Sequence, residues 1–242
     1  MRRDLGVTEA VRETLPEWAD AVFFVLSLPG NVWVIIAGLT LLYLLDVGGS
    51  VRDATHPADE PLCADRTVFV VGTVFGGLAL VLLLKVLVDA PRPPADLQAL
   101  SESGLGFPSG HVMAATVFWG ALARWPPVGE RELLPPSLAV ALVTVVAVSR
   151  VALGAHFLVD VVASVVLGGL YLLAIDRTIA VRPAWSLRVA AMLAAGAVLV
   201  SGGAPRALLA LGGILGAAIG WQLVETEPVR DFLTGRVRPL LQ

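Results

Sequence analysis

Seven apolar stretches, at about 31–46, 67–89, 109–125, 136–151, 156–175, 184–202 and 206–222, leave few folds open to this chain. A helix that crosses a bilayer needs about 20 mostly apolar residues at a rise of 1.5 Å each. Each stretch meets or approaches that length. Only 15% of the residues are charged and 57% are hydrophobic, whereas a water-soluble domain carries roughly a quarter charged residues. Backbone polar groups in lipid must be satisfied within the segment itself. The expected fold is therefore all-α, a polytopic transmembrane helix bundle of about six to eight membrane helices.

Residues 7–28 mix charges with Leu15, Trp18, Val22, Phe23 and Phe24 and stop at Pro29-Gly30-Asn31. This pattern suits a helix lying in the interface or partly re-entrant; the alternative is a full extra span with 31–46 partly re-entrant. The expected organisation is an N-terminal interfacial or re-entrant helix over 1–30, a membrane core over 31–176 with its polar motifs in 85–160, and a C-terminal membrane helix pair with a cytoplasmic tail over 177–242. That last pair is rich in Ala and Gly, as expected of helices that pack through small residues. The polar start, extending to about Asp20, lacks the pattern of a cleaved signal peptide. The connections 47–66, 90–108 and 126–135 are polar or Pro/Gly-rich.

The net charge of −3 with no basic stripe argues against nucleic acid as a partner. A single cysteine, Cys63, excludes an internal disulfide and a cysteine-based metal cluster. His56, in an acidic loop, reads as an ordinary loop residue. Most arginines, from Arg52 and Arg66 to Arg236 and Arg238, fall on one side of the expected bundle, which should be cytoplasmic. Trp125, Trp185 and Trp221 fall at helix ends on that side, as an interfacial aromatic belt would.

Three polar clusters interrupt the apolar text, all at the opposite, extracytoplasmic side: Lys85 with Arg92-Pro93, then Pro108-Ser109-Gly110-His111, then Ser149-Arg150 with His156 and Asp160. Ionisable groups at membrane depth are costly and mark function or a partner. If the helices are antiparallel neighbours, these groups gather on one face and suit a multiply charged anion. Lys85, the sole lysine among 17 basic residues, offers a compact charge. Arg92 and Arg150 offer planar forks that match phosphate. Ser109 and Gly110 stand where a helix begins, with free amides and the positive dipole end.

His156 and Asp160, four apart, share a helix face. A carboxylate on one imidazole nitrogen sets the tautomer and leaves the other nitrogen to attack phosphorus. His111 is then the natural acid for a leaving alcohol. No spacing of carboxylates or histidines suggests a bound cation, so neither a metal nor another cofactor is expected. Taken singly, each cluster has a plainer account. Lys85 reads as a snorkelling lysine, Pro108-Ser109-Gly110 as a helix cap, the histidines as packing residues, Arg150 with Asp160 as an ion pair, and Ser149 as a hydroxyl bonding backbone.

Together the clusters resemble the signature of the type 2 phosphatidic acid phosphatase and vanadium-dependent haloperoxidase superfamily: Lys-x6-Arg-Pro, Pro-Ser-Gly-His, and Ser-Arg-x5-His-x3-Asp. Every fixed position matches, from Lys85 to Asp160, about a third of the chain. The resemblance implies His156 as a nucleophile forming a phosphohistidine, Asp160 as its orienter and His111 as general acid. It assigns Lys85, Arg92, Ser109, Gly110 and Arg150 to the phosphate. The apolar runs favour the membrane lipid phosphatase branch over the soluble haloperoxidases. The implied activity is hydrolysis of a lipid phosphate monoester or a lipid or polyprenyl pyrophosphate by a multi-pass protein of the cell membrane, its site facing the extracytoplasmic side. A lipid phosphotransferase would use the same site; a transporter or binding protein with a vestigial site would show departures at the nucleophile or acid, and none are seen. The helix pair beyond residue 184 lies outside the family's usual minimal core.

Overall fold

The computed structural model describes residues 5–57, 59–125, 134–179, 182 and 184–241. Among them the chain is all helical. Helices α1 (Leu5–Thr14) and α2 (Trp18–Ser27) precede seven longer ones. These are α3 (Val32–Arg52), α4 (Asp65–Val88), α5 (Gly110–Arg124), α6 (Pro136–Ala152), α7 (Leu158–Ile179), α8 (Trp185–Val200) and α9 (Pro205–Val224). A short helical tail follows from Glu227 to Leu241. Four helices, α3, α4, α7 and α9, are long and apolar enough to cross a membrane. Helices α5, α6 and α8, of 15, 17 and 16 residues, are shorter. The chain is thus a multi-pass membrane protein.

The apolar runs lie close to the helices, and the departures have local causes. The polar-apolar stretch 7–28 is two helices, because Pro16 cannot donate a backbone hydrogen bond and disfavours helical geometry at Leu15. Helix α3 runs on to Arg52, beyond the expected end near 46. Its last turns have an apolar face, Val47 and Val51, packed against Leu62, Cys63 and Val68. Helix α7 begins at Leu158, so His156 stands in the loop before it. Most of the connection 126–135 lies outside the described residues.

Helix α4 is the centre of the bundle. A Cβ at Gly72 or Gly76 would collide with the Ser186 hydroxyl or the Tyr171 hydroxyl, and one at Gly77 would stand 2.8 Å from Val117. Small residues here let backbones approach closely, which in lipid replaces the hydrophobic drive toward association. Helix α8 answers with Ala190, Ala194 and Ala197, all fully buried. Helix α9 packs through Gly213, whose added Cβ would stand 3.5 Å from the Phe75 ring, and through the buried Ala207 and Ile214, while Gly212, Gly216 and Gly220 meet nothing within 4 Å.

At one end, Arg124 and the Trp125 indole both reach Asp176, at 3.2 and 3.0 Å, joining α5 to α7. At the other end the 89–109 segment meets the 153–157 loop, with the Ala99 amide donating to the Leu153 carbonyl at 3.0 Å. Helices α5, α6 and α7 are mutual neighbours and α4 packs on α5. The ends carrying Lys85, Ser109, Arg150 and His156 are therefore the same end.

Candidate active site

The eight polar residues singled out above converge at this rim. Lys85, in the last turn of α4, donates from Nζ to the Leu105 carbonyl at 2.7 Å. A Cβ on Gly110 would stand 3.9 Å from the Lys85 Cε, so lysine and helix start are adjacent. Ser109 is the N-cap of α5, yet its side chain caps nothing: the buried Oγ has no hydrogen-bond partner. Serine at this position ordinarily accepts from the first helical amides. Here those amides and the hydroxyl face the same rim as the cations, an arrangement suited to an anion.

Arg150 is 1% exposed and Arg92 lies partly buried in the preceding loop. The Arg92 Nη1 donates to the Ala155 carbonyl at 2.9 Å and lies 3.2 Å from the His156 Nε2. A guanidinium can only donate, so Nε2 accepts and the ring proton belongs on Nδ1. Nδ1 lies 3.8 Å from the Asp160 Oδ2, a charge contact too long for a hydrogen bond. Asp160 also accepts from the Phe157 amide at 3.1 Å. As the third residue of α7 it thereby closes half a capping box, and the helix start aims the carboxylate.

Two serines tie the clusters together. The Ser109 amide donates to the Ser164 Oγ at 2.8 Å, and that hydroxyl donates to the Asp160 carbonyl at 2.5 Å. His111, in the first turn of α5, feels the charges of Arg150, Glu102, Arg92 and Lys85. The same four groups act on His156. Ser149 bonds the Val146 carbonyl at 2.7 Å, the plain backbone role its helix-end position suggests.

Glu102 is absent from the sequence reading. Its carboxylate pairs with Arg150 and, at 2.8 Å, with Arg92. Burial opposes its ionisation, but the Arg150 and Arg92 guanidiniums outweigh it and hold the carboxyl below the usual range. Gln98 steadies the loop, accepting from the Glu102 amide at 3.0 Å and donating to the Pro93 carbonyl at 2.7 Å. An acidic residue in a polar loop carries no mark in the sequence that it will meet two arginines 10 and 48 positions away. Among the described residues no group of three or more His, Cys, Asp or Glu is placed to hold a metal ion.

A membrane helix bundle that gathers two imidazoles and three cations at one rim is a recognisable type. The family model described as the PAP2 superfamily matches residues 66–182. Over that segment, just under half of the chain, the sequence is similar to the PAP2 superfamily. Its fold is similar to that of a transmembrane PAP2-type phosphatidylglycerolphosphate phosphatase from Bacillus subtilis, with a TM-score of 0.54 and 23% identity. The likeness covers 72% of this chain and 84% of that one. No curated protein sequence matches the chain.

Proposed function

We propose that the chain is a membrane phosphatase that hydrolyses a lipid phosphate monoester or a lipid or polyprenyl pyrophosphate, at the extracytoplasmic face, through a phosphohistidine at His156. The observation that carries this reading is the ring of His156, with Nε2 as acceptor beside Arg92 and Nδ1 turned to Asp160. Supporting it are polar atoms buried without partners around that ring: the Nε of Arg92, the Nε of Arg150 and the Oγ of Ser109.

In the first half-reaction the Nε2 lone pair of His156 bonds to phosphorus and the bond to the leaving oxygen breaks. That oxygen takes the electron pair and a proton from His111. Asp160 stabilises the Nδ1–H tautomer and the charge that develops on the ring. Lys85, Arg92, Arg150, the Ser109 hydroxyl and the amides from Gly110 onward neutralise the equatorial oxygens. In the second, water gives a proton to His111 and attacks phosphorus, releasing phosphate and His156. The match to the superfamily over 66–182 and the fold relative, itself a phosphatase, support the class of reaction. The excess of arginines at the other end of the bundle supports the facing of the site.

The test is phosphate release by purified protein from micellar phosphatidic acid, phosphatidylglycerol phosphate and a polyprenyl diphosphate. Release that resists EDTA and stops with vanadate is expected; complete loss with EDTA would overturn the mechanism. A phosphotransferase would instead pass label from the donor lipid to an added lipid or sugar acceptor.

Glu102 holds two of the proposed phosphate ligands, so an incoming oxyanion must displace it. An ion pair of this partial exposure contributes on the order of 1 kcal/mol. Glu102→Gln is expected to bind vanadate about three- to tenfold more tightly, measured by equilibrium titration. Weaker binding would show that Glu102 assists the anion.

A further inference from the structure

The α6–α7 turn that carries His156 exposes a run of backbone carbonyls, and the source of each hydrogen bond to them is informative. A helix leaves its last four carbonyls without intrahelical partners, and a buried one left unpaired is costly. At the end of α6 the Ser149, Arg150 and Val151 carbonyls accept from the Leu153, Ala155 and Gly154 amides, at 2.9, 3.2 and 2.9 Å. Beyond them the turn's own amides give out. The Leu153 carbonyl accepts from Ala99, and the Ala155 carbonyl from Arg92. Of the other three, those of Ala152 and His156 are approached by the N-terminal helix α1, which contains none of the motif residues. Arg12 Nη1 donates to the Ala152 carbonyl at 3.1 Å, and the Thr8 Oγ1 lies 3.5 Å from the carbonyl of His156 itself.

Neither side chain is placed loosely. Thr8 is fully buried, although it lies in the polar start of the chain. Arg12 is gripped by Asp20 at the start of α2, at 2.5 and 3.4 Å, which aims the guanidinium at α6. A cation there also faces the negative end of the α6 dipole.

We propose that α1 braces the nucleophile: Arg12, aimed by Asp20, and Thr8 are positioning residues that hold the 152–156 backbone so that the His156 ring meets Arg92 and Asp160. This rests on His156 being the nucleophile. Neither residue is bonded to a group assigned to the phosphate, so the brace acts on the rate of attack and leaves anion binding alone. A displacement of about 1 Å at a reacting atom costs about a hundredfold.

The experiment compares wild type, Arg12→Ala, Arg12→Lys and Thr8→Val. It measures kcat and KM for one hydrolysed lipid phosphate, the equilibrium affinity for vanadate and the thermal midpoint. Arg12→Ala should lose about 10- to 100-fold in kcat, with KM and vanadate affinity within about twofold of wild type. Arg12→Lys keeps one donor and should recover most of that loss. Thr8→Val removes only a hydroxyl and should lower kcat several-fold in the same pattern; it decides the matter if Arg12→Ala does not fold. The brace is overturned if kcat is unchanged in Arg12→Ala and Thr8→Val, or if kcat, vanadate affinity and thermal midpoint fall together in both. The underlying reading fails separately, when His156→Ala keeps full activity; the brace then falls with it.

Discussion

His156→Ala should release no phosphate above background and take up no acid-labile label from a ³²P lipid phosphate. Alanine removes the attacking nitrogen while the cations around it stay. Where a nucleophile and its base act as one unit, deleting either lowers kcat by up to about a millionfold. The variant should still bind vanadate, because Arg150, Arg92 and Lys85 are untouched. Retained turnover would end the proposed mechanism. Asp160→Asn is the subtler companion. An amide can accept from the Nδ1 proton or donate to a bare Nδ1, so it no longer selects the tautomer that leaves Nε2 free. Loss of such tautomer control lowers kcat by about 10⁴ in a serine protease triad, and a fall of about 10²- to 10⁴-fold is expected here. The same substitution should weaken the start of α7, since the Phe157 amide also depends on that carboxylate. A thermal midpoint measured beside kcat separates the two effects.

Gly154→Ala should cripple the enzyme without removing a polar atom. Gly154 sits at φ +65°, and a Cβ there would strike the backbone carbonyl of Leu97 and stand 3.3 Å from the Gln98 Cα. The left-handed conformation costs a non-glycine residue about 1–2 kcal/mol. The collision is with backbone, which cannot swing aside as a side-chain tip can. The two loops must part, and the Ala99–Leu153 hydrogen bond lies in the seam that opens. Destabilisation on the order of 2–4 kcal/mol and a fall in kcat of about a hundredfold are expected. Gly169→Ala is the control: Gly169 lies inside α7 with nothing within 4 Å, and alanine there should stabilise by about 0.5–1 kcal/mol. Equal effects at both positions would refute the argument.

Much of the candidate site was legible in the sequence. Lys85, Arg92, Ser109, Gly110, His111, Arg150, His156 and Asp160 stand out because charged and polar types at the ends of apolar runs have few reasons to be there. Antiparallel crossing then sends those ends to one rim. The start of α7 was misjudged by two residues because His156 and Phe157 are compatible with helix; what ends the helix is the Asp160 carboxylate turning back to the Phe157 amide. Glu102 and Ser164 were invisible for a different reason. Their partners, Arg150 and Ser109, are 48 and 55 residues away, and an isolated Glu or Ser in a list of residues has no distinguishing neighbour.

Read along the chain, hydrophobic length dictates membrane helices, and the polar interruptions mark the side chains that meet at one rim. Those conclusions need only residue type and spacing, because burial in lipid penalises every exception. Which carboxylate bridges the arginines, and which helix holds the turn of His156, depended on packing. The Ala152 and His156 carbonyls that meet Arg12 and Thr8 are backbone groups, chemically identical in every residue, so nothing in the order of side chains distinguishes them until the fold brings a donor within reach.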